Sequence, residues 1–193
     1  MSATSLPLVP ALRPSWTATL PRQLVVVLGG VTALALFAQL RVEIGPVPIT
    51  GQTLPVLLLG FAVGPRLAAS TVGAYLAVAI AGAPIFSGGA AGWSTMTGAT
   101  GGYLVGFLVA AVLVGFLAER GWHRDAGTVA AGMVIGNLVI YAIGLLWLKS
   151  VLSVDWATTI SAGLTPFLVG DALKVAIAVA LLPAVARHAD GPR

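Results

Sequence analysis

The stretch QLVVVLGGVTALALFAQL, residues 23–40, carries no charged side chain, and its reading decides the fold. About 20 largely apolar residues in a helix cross the roughly 30 Å hydrocarbon core of a bilayer. Arg22 precedes this stretch, and Arg41, Glu43 and Gly45-Pro46 end it, so it has the length and the flanks of a membrane span. The rest of the chain supports the same solvent. Hydrophobic residues make up 58% of its 193 positions and charged ones 8%, and its mean hydropathy is +1.01. A soluble domain carries about 25% charged residues. Folded in water, so few charges would leave apolar surface with nothing to cover it.

Outward from that first span the pattern repeats. A shorter apolar stretch occupies 53–64, a third segment runs from Arg66 to about Ala83, and a fourth covers 103–117. The charged cluster Glu119, Arg120, His123, Arg124 and Asp125 separates it from a fifth at 128–148. After Lys149 and Asp155 the sixth starts near Pro166 and stops before Arg187. The expected fold is an all-α bundle of six transmembrane helices over residues 22–186. Residues 1–21, rich in Pro, Ser and Thr, read as a flexible N-terminal tail without a secretory h-region. Residues 187–193 form a C-terminal tail.

Charge placement orients the bundle. With six crossings both termini share a side, and that side receives Arg13, Arg22, Arg66, Arg120, Arg124, Arg187 and Arg193, against Arg41 and Lys149 opposite. The positive-inside rule then makes the termini cytoplasmic. Small residues recur every fourth position in two spans, Ala69, Gly73, Ala77 and Ala81 in the third, and Ala172, Ala176, Ala180 and Ala184 in the sixth. Such stripes predict close packing between helices of the bundle. Gly29 and Ala33 make a shorter one, which fits a neighbour in the bundle better than a separate protein.

Several function classes are excluded. There is no cysteine, and His123 and His188 lie in charged, loop-like surroundings, so no metal centre is legible. The formal charge of +4 is scattered rather than clustered, which argues against nucleic acid. No phosphate-cradling G-x-x-x-x-G-K-[ST] occurs, so the chain does not energise transport by that route. Gly92-Trp93-Ser94 starts like a hydrolase nucleophile elbow, but residue 96 is Met and no histidine lies within a span to act as base. A small membrane enzyme therefore has little to work with.

Asp171 and Lys174 carry the most information. An ionisable side chain at mid-membrane depth costs about 2.5–3.5 kcal/mol on insertion scales and is by default a functional site. Three residues apart, the two share a helix face. A structural reading has them locking the sixth span to a neighbour. The functional reading has them binding a polar ligand near the outer mouth, Asp171 accepting ligand N–H groups and Lys174 donating to a carbonyl or carboxylate. The second feature is the uncharged segment 84–102, where glycines alternate with Ser87, Trp93, Ser94, Thr95, Thr97 and Thr100. Non-helical backbone at membrane depth is tolerated where protein buries it or it lines a cavity. Alternatively the segment is a surface loop with Trp93 at the membrane interface.

Three ordered motifs, VPITGQT (47–53), GAPIFSGG (82–89) leading to TGGY (100–103) and GF (106–107), and TPFLVGDALK (165–174), resemble the BioY family. The resemblance spans roughly residues 22–186. It implies the biotin-specific substrate-binding (S) component of an energy-coupling factor (ECF) transporter: a six-helix bundle with one biotin near the external face, roofed by the 1–2 and 3–4 loops. It also implies a transmembrane coupling (T) subunit and paired ABC-type ATPases as partners, residence in the bacterial inner membrane, and no cofactor or enzymatic activity of its own. Asp171 and Lys174 match the family's Asp-x-x-Lys that contacts the ureido ring. Gln52, Ser87, Gly88, Gly89, Trp93, Thr97 and Tyr103 fall in the loop motifs and are expected around the ligand. Val169 stands where many members have Pro, and no charge between 84 and 102 is available for the biotin carboxylate, which leaves Ser87 and Thr97 as candidates. An S component for a different vitamin would share the fold and differ in the pocket.

Overall fold

The computed structural model describes residues 6–12 and 15–189. Arg13 and Arg193 of the charge census, and the ends of both expected tails, lie outside them. Two short helices, α1 (Leu8–Leu12) and α2 (Ser15–Ala18), precede α3 (Leu20–Gln39). A two-residue hairpin of β1 (Arg41–Val42) and β2 (Ile49–Thr50) leads into α4 (Thr53–Ile80). A loop with a 3-10 turn at Ser87–Gly89 and the short α5 (Trp93–Thr97) connects to α6 (Gly101–Glu119). Then come α7 (Ala126–Leu152), α8 (Trp156–Gly163), a 3-10 turn at Thr165–Phe167 and α9 (Leu168–Ala189).

Polar caps delimit the helices on the loop side. Asp125 accepts the N–H groups of Gly127 and Thr128 at the start of α7, and Asp155 accepts that of Thr158 at the start of α8. The Thr158 N–H holds the Asp155 carboxyl below its usual range, because it stabilises the charged form.

The helix α4 is not a single rod. Gly64 has φ 78° and ψ 175°, a conformation open to glycine, and Pro65 follows it at a first-turn position where its missing N–H is harmless. The side chains of Gln52 and Tyr75, 23 residues apart, nevertheless meet at 2.8 Å. In a continuous helix they would stand about 35 Å apart. The arms 53–63 and 65–80 therefore run back on each other, and α6 packs into the bend. Gly115 of α6 lies so close to Pro65 that a Cβ there would fall 2.5 Å from its nitrogen.

Five stretches among the described residues are long and apolar enough to cross a membrane, the last joining α8 to α9. The expected spans 53–64 and 66–83 are the two arms of one of these stretches, α4, parted at Gly64-Pro65. The first arm is only about 16 Å long, half a hydrocarbon core. The Gly64-Pro65 break sits where the two spans were expected to part.

The small-residue stripes do not pack as expected. Ala77, Ala81, Ala172, Ala176 and Ala180 are exposed on the bundle surface, and Gly73 and Gly29 have open space where a Cβ would go. The buried face of α9 instead carries Asp171, Ala178, Leu182 and Ala186. In lipid an apolar side chain gains little from choosing the inside, so size alone does not dictate which face turns inward. Part of the expected tail is also packed: Leu8 is buried, and the Pro7 ring rests against Gly64.

Candidate functional site

The turn Thr165–Phe167 delivers the chain into α9 so that Asp171 lies in its first turn, where the helix dipole favours an anion. One turn on, Lys174 places its ammonium 3.1 Å from Asp171 Oδ1. The same ammonium donates to Thr53 Oγ1 at 2.7 Å and to the Thr50 carbonyl at 2.9 Å. Thr53 in turn donates to Asp171 Oδ1, and the Tyr141 hydroxyl of α7 donates to Oδ2. Four elements, β2, α4, α7 and α9, thus converge on one ion pair whose side chains are 12% and 8% exposed. All three Lys174 donors are engaged. A carboxylate offers about four acceptor sites, so Asp171 keeps one unused.

Beside this cluster is a cavity of about 200 Å³. Its wall at the polar end is Thr53, Tyr141 and Lys174, with Asp171 directly behind them. Beyond them the lining turns aromatic. Tyr103 and Phe167 stack at 6.2 Å between centroids, Tyr141 meets Phe167 edge-on, and Phe86 and Phe107 close the sides. Tyr103 is fixed by a 2.9 Å bond from its hydroxyl to the Gly163 carbonyl. A mostly apolar chamber with convergent polar groups at one end is the form of a small-molecule site.

Two loops roof the chamber and are tied to the bundle. Gln52 donates to Tyr75, and the Tyr75 hydroxyl donates to the Ile85 carbonyl at 3.1 Å, so one tyrosine of α4 fastens both loops. Gln39 of α3 adds a bond to the Phe86 carbonyl, and Trp147 of α7 holds the far end of the second loop through the Gly98 carbonyl.

Of the residues singled out from the sequence, Lys174, Ser87, Tyr103 and Gln52 line the cavity, and Asp171 anchors its polar end. Gly88 and Gly89 neighbour it in the 3-10 turn, both with positive φ, and are exposed. Trp93 and Thr97 are not brought there. Trp93 is 65% exposed, and the Thr97 hydroxyl turns back to the Trp93 and Ser94 carbonyls of its own short helix. The segment 84–102 is accordingly split, its Phe86, Ser87, Ala90, Thr95 and Thr100 facing the cavity and Trp93 facing out. Sequence reasoning missed Tyr141 and Thr53. A tyrosine within a span is no signal by itself, and only the fold brings it to a carboxylate 30 residues away.

Comparison with known proteins bears on the family and the fold. The model of the BioY family matches residues 10–191. Biotin transporter BioY2 of Lactococcus lactis subsp. cremoris (strain MG1363) is 33% identical over 148 residues, 75% of this chain and 79% of that protein. The probable biotin transporter BioY of Pyrococcus horikoshii is 35% identical over 142 residues, 74% and 82%. Biotin transporter BioY of Rhizobium etli is 34% identical over 162 residues, 80% and 86%. A crystal structure of the S-component for biotin from an ECF-type ABC transporter superposes with a TM-score of 0.74 at 24% identity, covering 86% of this chain and 92% of that one. At that identity the superposition speaks to the fold alone.

Proposed function

The chain belongs to the BioY family, and from that premise we propose that it captures biotin in the chamber between α4, α6, α7 and α9 and serves its uptake as an S component. It is a membrane transport protein rather than an enzyme. The observation that carries the reading is the buried Asp171–Lys174 cluster at the wall of an aromatic chamber. A ureido ring offers two N–H donors flanking a carbonyl, which answers a carboxylate and an ammonium side by side. Because the cluster is already bonded, binding exchanges partners within it. A ureido N–H takes the unused acceptor site of Asp171, and the ureido oxygen replaces the Thr50 carbonyl on Lys174. The apolar bicycle then lies against Tyr103, Phe107 and Phe167.

The chain carries no nucleotide-binding motif, so biotin binding is expected without ATP. Calorimetric titration of the detergent-purified protein tests this, with heat expected for biotin and none for other vitamins. Binding of another vitamin in place of biotin would refute the substrate and spare the fold. Energy for uptake comes in this reading from a transmembrane T subunit and paired ABC-type ATPases.

The site lies in the bacterial cytoplasmic membrane with its roof outside and both termini in the cytoplasm, as the charge census suggests. The natural chain has no cysteine, so single cysteines report the orientation. Ser94→Cys is expected to react with a membrane-impermeant thiol reagent in intact cells, and Arg124→Cys only after permeabilisation. The reverse pattern would invert the topology.

A further inference from the structure

The polar cluster accounts for one end of the ligand, and two features at the roof account for the other. Ser87 lines the cavity, and its hydroxyl oxygen is buried with no hydrogen-bond partner among the described residues. A buried hydroxyl left unpaired costs free energy, so an orphan on a residue of the cavity wall is a vacant contact. Next to it Gly88 has φ 69° and no side chain, and the Arg41 guanidinium occupies that place, 1.8 Å from where a Cβ would be. Arg41 also pairs in register with Thr50, a residue of the cavity wall, so their side chains emerge on the same face of the hairpin.

Arg41 is held but not committed. Among the described residues its ion pair is with Glu43 at 2.6 Å, and Glu43 is 67% exposed, so the guanidinium has donors to spare and a partner that water can replace. Lys174 does not serve as well, since in the reading above it takes the ureido oxygen while staying bonded to Thr53 and Asp171.

We infer that Arg41 and Ser87 form the subsite for the ligand's carboxylate, a roof contact that lets the protein tell the free acid from a neutral derivative. The inference rests on the reading of the chamber as a biotin site. A carboxylate at the roof accepts from the Ser87 hydroxyl inside and from the guanidinium over Gly88. The second loop needs no charge of its own, because the first loop supplies it.

The test compares biotin with its methyl ester, which keeps the ring and the chain and loses the charge. The unaltered protein is expected to prefer biotin by about tenfold, the lower end for a charge-assisted bond because Arg41 is 37% exposed. Arg41→Gln is expected to weaken biotin about tenfold, leave the ester unchanged and so abolish the preference. Arg41→Lys should restore part of it, and Ser87→Ala should reduce it a few fold, roughly one neutral hydrogen bond. Equal affinities for acid and ester in the unaltered protein, or a preference that survives both Arg41→Gln and Ser87→Ala, would overturn the subsite. So would an Arg41→Gln protein that melts lower and loses both ligands in parallel, since that marks a merely structural arginine. Failure of the parent reading looks different: the unaltered protein then binds neither compound.

Discussion

Lys174→Met is expected to lower biotin affinity by roughly ten- to a hundredfold and to destabilise the protein at the same time. The affinity term is one charge-assisted hydrogen bond to the ureido oxygen, about 1.5–3 kcal/mol. The stability term arises because Lys174 bridges α9 to Thr50 and Thr53, and its loss strands the Asp171 carboxylate. Breaking one half of a buried ion pair costs about 3–5 kcal/mol. Asp171→Asn should behave similarly, with a smaller stability loss, since the amide oxygen still accepts from Thr53 or Tyr141. The two roles separate in the double variant. With both charges gone no ion is stranded, so the melting temperature should recover most of its loss while biotin binding stays lost. Near-normal affinity in the double variant would mean that the pair only holds helices together.

Gly144→Ala is expected to damage the chamber from outside it. A Cβ at position 144 would lie 2.5–2.7 Å from three ring carbons of Tyr103. That ring has nowhere to go, because its hydroxyl is bonded to Gly163 and its face is stacked on Phe167. Either α7 moves away from α6 or Tyr103 abandons its bond. Overpacking of this kind costs about 1–3 kcal/mol, and a displaced Tyr103 should also weaken biotin by about tenfold. Thermal unfolding and titration of the same preparation check both. Unchanged stability and affinity would show that the packing between Tyr103 and α7 is looser than the structure has it.

The helices were legible in the sequence because membrane spans announce themselves by length and by lack of charge, and the intramembrane ion pair because its insertion cost is hard to explain otherwise. The helical faces were not legible. Ala172, Ala176 and Ala180 read as a packing stripe and lie exposed, since in a lipid solvent apolar periodicity no longer separates inside from outside. The folded helix at Gly64 was half legible: its break and its short first arm were placed, but the folding back of the two arms emerges only from the Gln52–Tyr75 contact. At the site, charged and glycine-rich positions stood out, whereas Tyr141, Thr53 and Arg41 acquire meaning through partners distant in sequence. Trp93 illustrates the converse, a conspicuous residue in the right segment that points away.

The central claim is that the biotin ring is read by Asp171 at the polar end of the chamber. Solid-state NMR of the protein with carbon-labelled aspartate and biotin labelled with nitrogen in the ureido ring tests it most directly. A through-space contact between a ureido nitrogen and an aspartate side-chain carboxyl, absent in Asp171→Asn, is the result expected. Bound biotin whose ureido nitrogens show no aspartate contact and lie instead beside Ser87 and Arg41 would contradict the assignment, placing the ligand the other way round.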